Sequence, residues 1–344
     1  MVNRLSTIQE QNTKIEQLIR DKALKLLKED EVDAIIGYSS GTIPFKTCPI
    51  IIRSEEDVDK LIWNNFCAMN LAKYLVPLIP TLKDEEGKNL RVGIIAKGCV
   101  GRALIHLAAE KQLDLKKIKM IGIPCNGIIN RSQLLRELQQ EEILEASISD
   151  DEIILKGRNF QKKFPIKEYL NELCKKCEVK SPPKIPDLVE ACVGECQEIS
   201  AIEQDFEDVS EFESKTSEER WEYIKELLSP CIRCYACREA CPMCYCSLCF
   251  VDQKLPRWFG KTTELSETIV FHLVRAMHLA GRCVACGACS SVCPMGIDLH
   301  LITRKLEQIV KERFDFTSGL DPQIAPPMHQ FKMEDKQEFI LEEE

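Results

Sequence analysis

One cysteine pattern occurs twice and constrains this chain more than any other feature: Cys231-x2-Cys234-x2-Cys237-x3-Cys241-Pro242, then Cys283-x2-Cys286-x2-Cys289-x3-Cys293-Pro294. Three thiols at intervals of three can wrap a single centre. The fourth, followed by proline, is directed away from that loop and reaches a second centre. This is the bacterial [4Fe-4S] spacing, in which the fourth cysteine of each run ligates the other cluster. The expected sets are therefore Cys231, Cys234, Cys237 and Cys293 for one cluster, and Cys283, Cys286, Cys289 and Cys241 for the second. Structural zinc uses two CxxC pairs, or His with Cys, in a closed tetrahedron. Four evenly packed cysteines ending in Cys-Pro fit that poorly.

Composition supports reduced, metal-holding thiols. Nineteen cysteines in 344 residues are an odd number that could not all pair, in a chain too long for a small disulfide scaffold. The balance of 46 basic against 55 acidic residues, net −9, argues against nucleic acid or an anionic membrane as the main partner. Charged residues interrupt every apolar run before the roughly 18 residues a membrane span needs. Met1 to Glu29 carries both signs of charge and no apolar signal core, so a cytoplasmic location is expected. No GxGxxG follows a strand pattern and no GxxxxGK[ST] loop is present. No nucleophile stands with a base, the five histidines are scattered, and no catalytic residue is assigned.

Around this centre the hydrophobic pattern predicts an α/β N-terminal domain, residues 1–180. An amphipathic helix fits Ile8 to Leu27. Strands fit Val32 to Gly37, Pro49 to Ile52, Val92 to Ala96 and Met120 to Ile123, with helices over Val58 to Leu75, Arg102 to Lys111 and Ser132 to Gln140. This alternation implies a partly parallel sheet, and Ile143 to Leu155 reads as a hairpin. Residues 181–222, proline-containing and then acidic, read as an exposed connector. Residues 223–315, with helices over Thr262 to Leu279 and Leu299 to Phe314, read as a mainly α-helical dicluster ferredoxin domain. Residues 316–344 read as an extended tail. Arg233, Arg275 and Arg282 fall close to the cysteine runs, where positive charge would raise a cluster's potential.

Further cysteines form a second group. Cys99, in Lys97-Gly-Cys, and Cys125, in Ile123-Pro-Cys, both follow strands and should project from one edge of the sheet, where α/β folds place ligands. With Cys174-x2-Cys177 they complete four ligands, and a third [4Fe-4S] cluster is expected there. Cys244, Cys246 and Cys249 follow the first run closely enough to suggest a further cluster or a zinc ion, with Cys192 and Cys196 as possible contributors. Cys48 and Cys67 read as core.

The run from Ser229 to Cys249, the stretch from His272 to Pro294, and the Lys97-Gly-Cys and Ile123-Pro-Cys elements together resemble one family over about residues 20 to 315. It is the beta-subunit family of coenzyme F420 hydrogenases and formate dehydrogenases, in the version with a ferredoxin domain after the α/β domain. The resemblance implies an N-terminal domain holding a [4Fe-4S] cluster and FAD, which passes electrons between a catalytic partner subunit and a soluble carrier. It assigns the N-terminal cluster to Cys99, Cys125, Cys174 and Cys177, with Asp187 and Glu195 where a short acidic motif follows the CxxC. The chain departs from the family at Leu24 to Gly37, which lacks the glycine-rich, serine-containing flavin segment.

The expected function is therefore an iron–sulfur electron-transfer subunit of a cytoplasmic redox complex, with a formate dehydrogenase, hydrogenase or heterodisulfide-reductase-like module as partner in a hetero-oligomer. The alternative is an FAD-containing oxidoreductase subunit that exchanges hydride with F420 or NAD(P) and splits it into single electrons. An electron conduit survives the loss of the flavin segment, whereas a hydride-handling enzyme does not.

Overall fold

A computed structural model describes residues 7–78, 90–138, 141–184, 189–192, 202, 205–331 and 333. Asp187, Glu195 and Cys196 lie outside them, as does the side chain of Cys192. In chain order the elements are α1 (Ile8–Lys28), β1 (Ala34–Ser40), β2 (Thr47–Ile52), α2 (Ala72–Leu78), β3 (Val92–Ala96), α3 (Gly98–Ala109), β4 (Ile118–Gly122), α4 (Arg131–Glu137), β5 (Ile143–Ser149), β6 (Glu152–Gly157), β7 (Gln161–Pro165), α5 (Glu172–Lys175), β8 (Val189–Cys192), α6 (Glu207–Glu213), α7 (Ser217–Leu228), α8 (Ala236–Glu239), α9 (Leu265–His278), α10 (Ala288–Ser291) and α11 (His300–Phe314).

The main sheet has the order β2-β1-β3-β4-β8. Its β1–β2 pair is antiparallel, and the β1–β3, β3–β4 and β4–β8 pairs are parallel. Val92 to Ala96 is buried at every position, as a central parallel strand covered on both faces must be. Helix α1 starts at a capping box, with Thr7 Oγ1 accepting from Glu10 N and Glu10 Oε2 from Thr7 N. It lays Ile15, Ile19, Ala23 and Leu26 into the core with Ile35, Ile94 and Ile121. Strands β5-β6-β7 form a separate antiparallel sheet.

Three local expectations change. Val58 to Leu75 is not one helix. Residues 55–60 form a 3-10 turn, α2 begins only at Ala72, and irregular backbone lies between them. Asn64 and Asn70 explain the break, because their side-chain oxygens accept from Phe66 N and Ala72 N and compete with helical bonds. The stretch read as a connector contributes β8 to the main sheet and the helices α6 and α7. The chain after α11 does not leave the body at once, since Ser318 is buried. Residues 205–331 contain helices and turns and no strand.

Candidate metal centres

The two cysteine runs take up the same backbone shape. In the first, Arg233 and Tyr235 have φ of +55° and +61°. At the corresponding places in the second, Ala285 and Gly287 have +51° and +68°. Three of these four residues carry side chains in a left-handed conformation, at a cost on the order of 1–3 kcal/mol each. Each run then makes one helical turn, α8 or α10. It closes with Cys241 N donating to Arg238 O and Cys293 N donating to Ser290 O, both at 3.2 Å. Arg233 N points at Cys231 Sγ and Ala285 N at Cys283 Sγ, each at 3.4 Å. These amides would stabilise thiolates in the two loops alike.

The thiols of the two runs lie close to one another, within and between the runs. Cys231, Cys234, Cys237 and Cys293 line one small cavity with His272. Burial pushes Cys237 up to about 12, Arg275 opposes the rise, and Cys289, Cys231 and Cys293 add to it. Burial likewise raises Cys286 to about 12, with Cys241 the next contributor. Cys283 rises well above the ordinary thiol range through burial, with Glu307, Cys286 and Cys241 contributing. Cys289 rises through burial, opposed by Arg275 and helped by Cys241. Thus Cys293 sits with the first three thiols, and Cys241 sits with the second three.

The third group forms where β3 and β4 end side by side. Gly98 is required at the start of α3, because a Cβ there would lie 2.0 Å from Val179 O. Its absence lets the loop after Cys177 close over Cys99. Cys125 N donates to Lys180 O at 2.7 Å, tying the other strand end to the same loop. Burial raises Cys99, Cys125 and Cys174, the last to about 11. Lys97 opposes all three rises, and the sulfurs that add to them are Cys125, Cys177 and Cys286 for Cys99, Cys177 for Cys125, and Cys125 and Cys177 for Cys174. Buried thiols of this kind stay protonated at neutral pH unless a cation replaces the proton, as metal binding does. An all-sulfur donor set suits iron–sulfur clusters.

Lys97 and Asn70 were not visible in the sequence as parts of a site, and His272, whose helix suggested a place near the second run, lies at the first. Lys97 is 2% exposed, donates to Cys67 O at 2.5 Å and lies 5.7 Å from the Tyr38 ring centre. Burial opposes its charge, but Tyr38, Cys99, Cys125 and Cys67 outweigh that and raise its pKa. Asn70 donates to Cys99 O at 3.1 Å, and its side chain also bonds the Cys286 thiol, joining the second and third groups. His272 Nε2 lies 3.4 Å from Cys231 Sγ. Burial, with Arg275 and Arg233, holds that imidazole down to about 4, so the ring is neutral. Of the arginines expected near the runs, Arg275 is buried and donates to Cys237 O at 3.0 Å, while Arg233 is buried against the Phe271 ring. Arg282 instead pairs with Glu110.

Cys67 is core, as expected, and Cys48 is half-buried on β2. Cys244, Cys246 and Cys249 line a separate cavity. Among the described residues, no three His, Cys, Asp or Glu side chains are gathered as ligands of a single ion.

No protein-family model matches the chain. The F420-dependent formate dehydrogenase subunit beta of Methanocaldococcus jannaschii is 23% identical over 359 aligned positions, spanning 88% of this chain and 91% of that protein. The F420-dependent formate dehydrogenase 1 subunit beta of Methanococcus maripaludis is also 23% identical, over 88% of this chain and 90% of its own length. A chain of the F420-reducing [NiFe] hydrogenase complex from Methanosarcina barkeri is 16% identical, with 48% of this chain and 62% of that chain covered at a TM-score of 0.34. Over most of its length the chain is thus similar to beta subunits of F420-dependent formate dehydrogenases.

Proposed function

We propose that the chain is an electron-transfer subunit of a cytoplasmic redox complex, holding three [4Fe-4S] clusters and working beside a catalytic oxidoreductase subunit. The ligands would be Cys231, Cys234, Cys237 and Cys293; Cys283, Cys286, Cys289 and Cys241; and Cys99, Cys125, Cys174 and Cys177. The observation that carries this reading is the exchange of fourth cysteines, with Cys293 beside the first loop and Cys241 beside the second. When bound, such clusters exchange single electrons at potentials set by charge, hydrogen bonding and burial.

The chain's own residues suit a conduit. Arg275 lies against thiols of both ferredoxin-type groups. Asn70 links the second group to the third. Lys97 supplies buried positive charge at the third. Cys234 is exposed in the first group, and the four thiols of the third are half-buried where the strands end. The named relatives are beta subunits of formate dehydrogenases, and a formate dehydrogenase or related catalytic subunit is the proposed partner. No described helix is long and apolar enough to cross a membrane.

A flavin-containing reading is favoured by one other feature. A cavity of about 490 Å³ beside the β1–β2 turn is lined by Thr13, Ser40, Thr42, Lys46 and Asn64, polar groups suited to a phosphate-bearing cofactor. It connects toward the third group, because Asn12 on its wall donates to Asn65 and Asn65 donates to Gly127 O, two residues past Cys125. Iron, acid-labile sulfide and flavin measured on one anaerobically purified sample separate the readings. About twelve irons without flavin supports a conduit of three four-iron clusters. About one flavin per chain shifts the assignment to hydride exchange with F420 or NAD(P). Zinc without sulfide overturns both.

A further inference from the structure

The cavity over Cys244, Cys246 and Cys249 has a volume of about 560 Å³ and belongs to none of the three groups above. Its thiols lie within six residues of one another, and Cys246 is exposed. Core packing gives no reason for an exposed thiol beside two others. Cationic groups, Lys73, Arg275 and Arg282, also line the cavity. Lys73 Nζ donates to Cys244 O at 2.8 Å, which fixes it over the thiol segment. Arg275 is only 4% exposed, and its Nε has no hydrogen-bond partner among the described residues. The carboxylates of Glu239 and Asp252 on the wall are both engaged by Arg238, at 2.8 and 2.6 Å. The cavity is thus rich in soft donors and short of negative charge.

The three thiols are not gathered around a point that one ion could occupy. Together with Lys73 and Arg275 they line one cavity of about 560 Å³, room enough for a cluster of several metal atoms. We propose that Cys244, Cys246 and Cys249 hold a fourth iron–sulfur cluster, whose one iron without a protein thiolate faces the cationic wall and takes a small anion as ligand. Three thiolates and sulfide would supply negative charge beside Lys73 and Arg275, Arg282 being already paired with Glu110. Cys244 also hydrogen-bonds Cys241, a proposed ligand of the second group, so the site would adjoin the conduit. A four-iron cluster with one open iron differs from the other three in function, because it can bind an exogenous ligand. The inference rests on reading the two ferredoxin-type runs as iron ligands.

The test uses the full chain, purified or reconstituted without oxygen, as wild type and as Cys246→Ser and Cys246→Ser/Cys249→Ser variants. Iron and acid-labile sulfide are counted, and reduced samples are examined by electron paramagnetic resonance with and without cyanide, a small anionic probe. The expected result is about sixteen irons per wild-type chain and about twelve in the double variant, the difference being one four-iron cluster. Cyanide should shift one wild-type signal that the double variant lacks. About twelve irons in all forms overturns this proposal and leaves the three-cluster reading intact, whereas absence of iron and sulfide overturns both. A count that stays near sixteen in the variants, or a wild type unmoved by cyanide, also overturns it. Because Cys246 is exposed, the single variant provides a folded control, checked by an unchanged melting temperature.

Discussion

Glu110 and Arg282 form a two-pronged ion pair that joins the end of α3 to the residue before Cys283. Arg282 Nε donates to Glu110 Oε1 at 2.6 Å and Nη2 donates to Oε2 at 3.0 Å. Tyr245 Oη donates to Oε2 at 2.6 Å, and His329 Nε2 lies 3.1 Å from Oε1. One buried carboxylate thus binds the main sheet to the cysteine-rich part and to the segment following α11. Next to it, Arg102 donates to Ser318 O at 2.8 and 3.1 Å, and Ser318 Oγ lies 2.9 Å from His106 Nδ1. The second and third cysteine groups can keep a fixed separation because this polar joint holds the elements that carry them.

Replacing Glu110 by Gln is expected to destabilise the fold by about 3–5 kcal/mol, since Arg282 would be left buried without its anion. Burial opposes the Glu110 charge, but His106 at 3.5 Å and the bonds from Arg282 and Tyr245 outweigh it and hold the carboxyl at about 2, against an ordinary 4.5. A depressed carboxyl stabilises the folded state fully above its unfolded pKa and loses that contribution as pH falls toward its folded one. The stability gap between wild type and Glu110→Gln should therefore be constant near neutrality and narrow as pH falls from about 4.5 toward 2. Paired urea denaturation curves at several pH values check this. A gap that widens on acidification would refute it.

Gly319 fixes how the segment after α11 meets α3. Its φ is +75°, and a Cβ there would approach Arg102 O to 2.3 Å, a backbone atom that cannot swing aside. Gly319→Ala should cost more than 1 kcal/mol, through strain in the left-handed region and the displaced Arg102–Ser318 contact. A thermal melt of the variant measures the loss. Limited proteolysis should show faster cleavage near residue 319.

The matching loops of the two cysteine runs were legible because their shape is encoded locally. Intervals of three residues and a following proline specify the loop, and the structure repeats its left-handed positions in both copies. The strand ends carrying Cys99 and Cys125 were legible because fully apolar runs mark β3 and β4. Contacts between distant residues were not. Nothing near Asn70 announces that its side chain joins Cys99 to Cys286, and Lys97 looks like an ordinary charged residue in a turn. Glu110 lies 172 residues from its arginine in sequence. The region from 58 to 75 has helical spacing of apolar residues, but that spacing does not weigh the asparagine side chains that cap and break it.

Asn70 offers a test of the link between the second and third groups. Its side chain is fully buried, and it donates to a backbone oxygen at one group and bonds a thiol at the other. Asn70→Ala removes a donor toward Cys286, and loss of a hydrogen bond to a cluster thiolate favours the oxidised, less negative state. Redox titration followed by electron paramagnetic resonance should show the second group's potential falling, while the first group's stays in place. The fold should lose about 1–3 kcal/mol, from the polar groups left unpaired.

Lys97→Met isolates the role of buried charge at the third group. The side chains are similar in length, so packing between Tyr38 and the Cys67 carbonyl is largely kept while the ammonium is removed. Lys97 faces Cys99 and Cys125, and it is opposed by no carboxylate among the groups that set its pKa. Its charge would therefore favour the reduced form of a cluster held there, and its removal should lower that potential. The Cys67 and Ala68 carbonyls would lose their donor at the same time, at 2.5 and 3.4 Å, so a stability loss of about 1–3 kcal/mol is expected as well. The two effects separate in Lys97→Arg, which keeps the charge but cannot fit the same space, and should destabilise with a smaller change in potential. Potentials of all three groups, measured in both variants by the same titration, decide the matter. An equal shift at every group in Lys97→Met would point to a global rearrangement and remove Lys97 from the site.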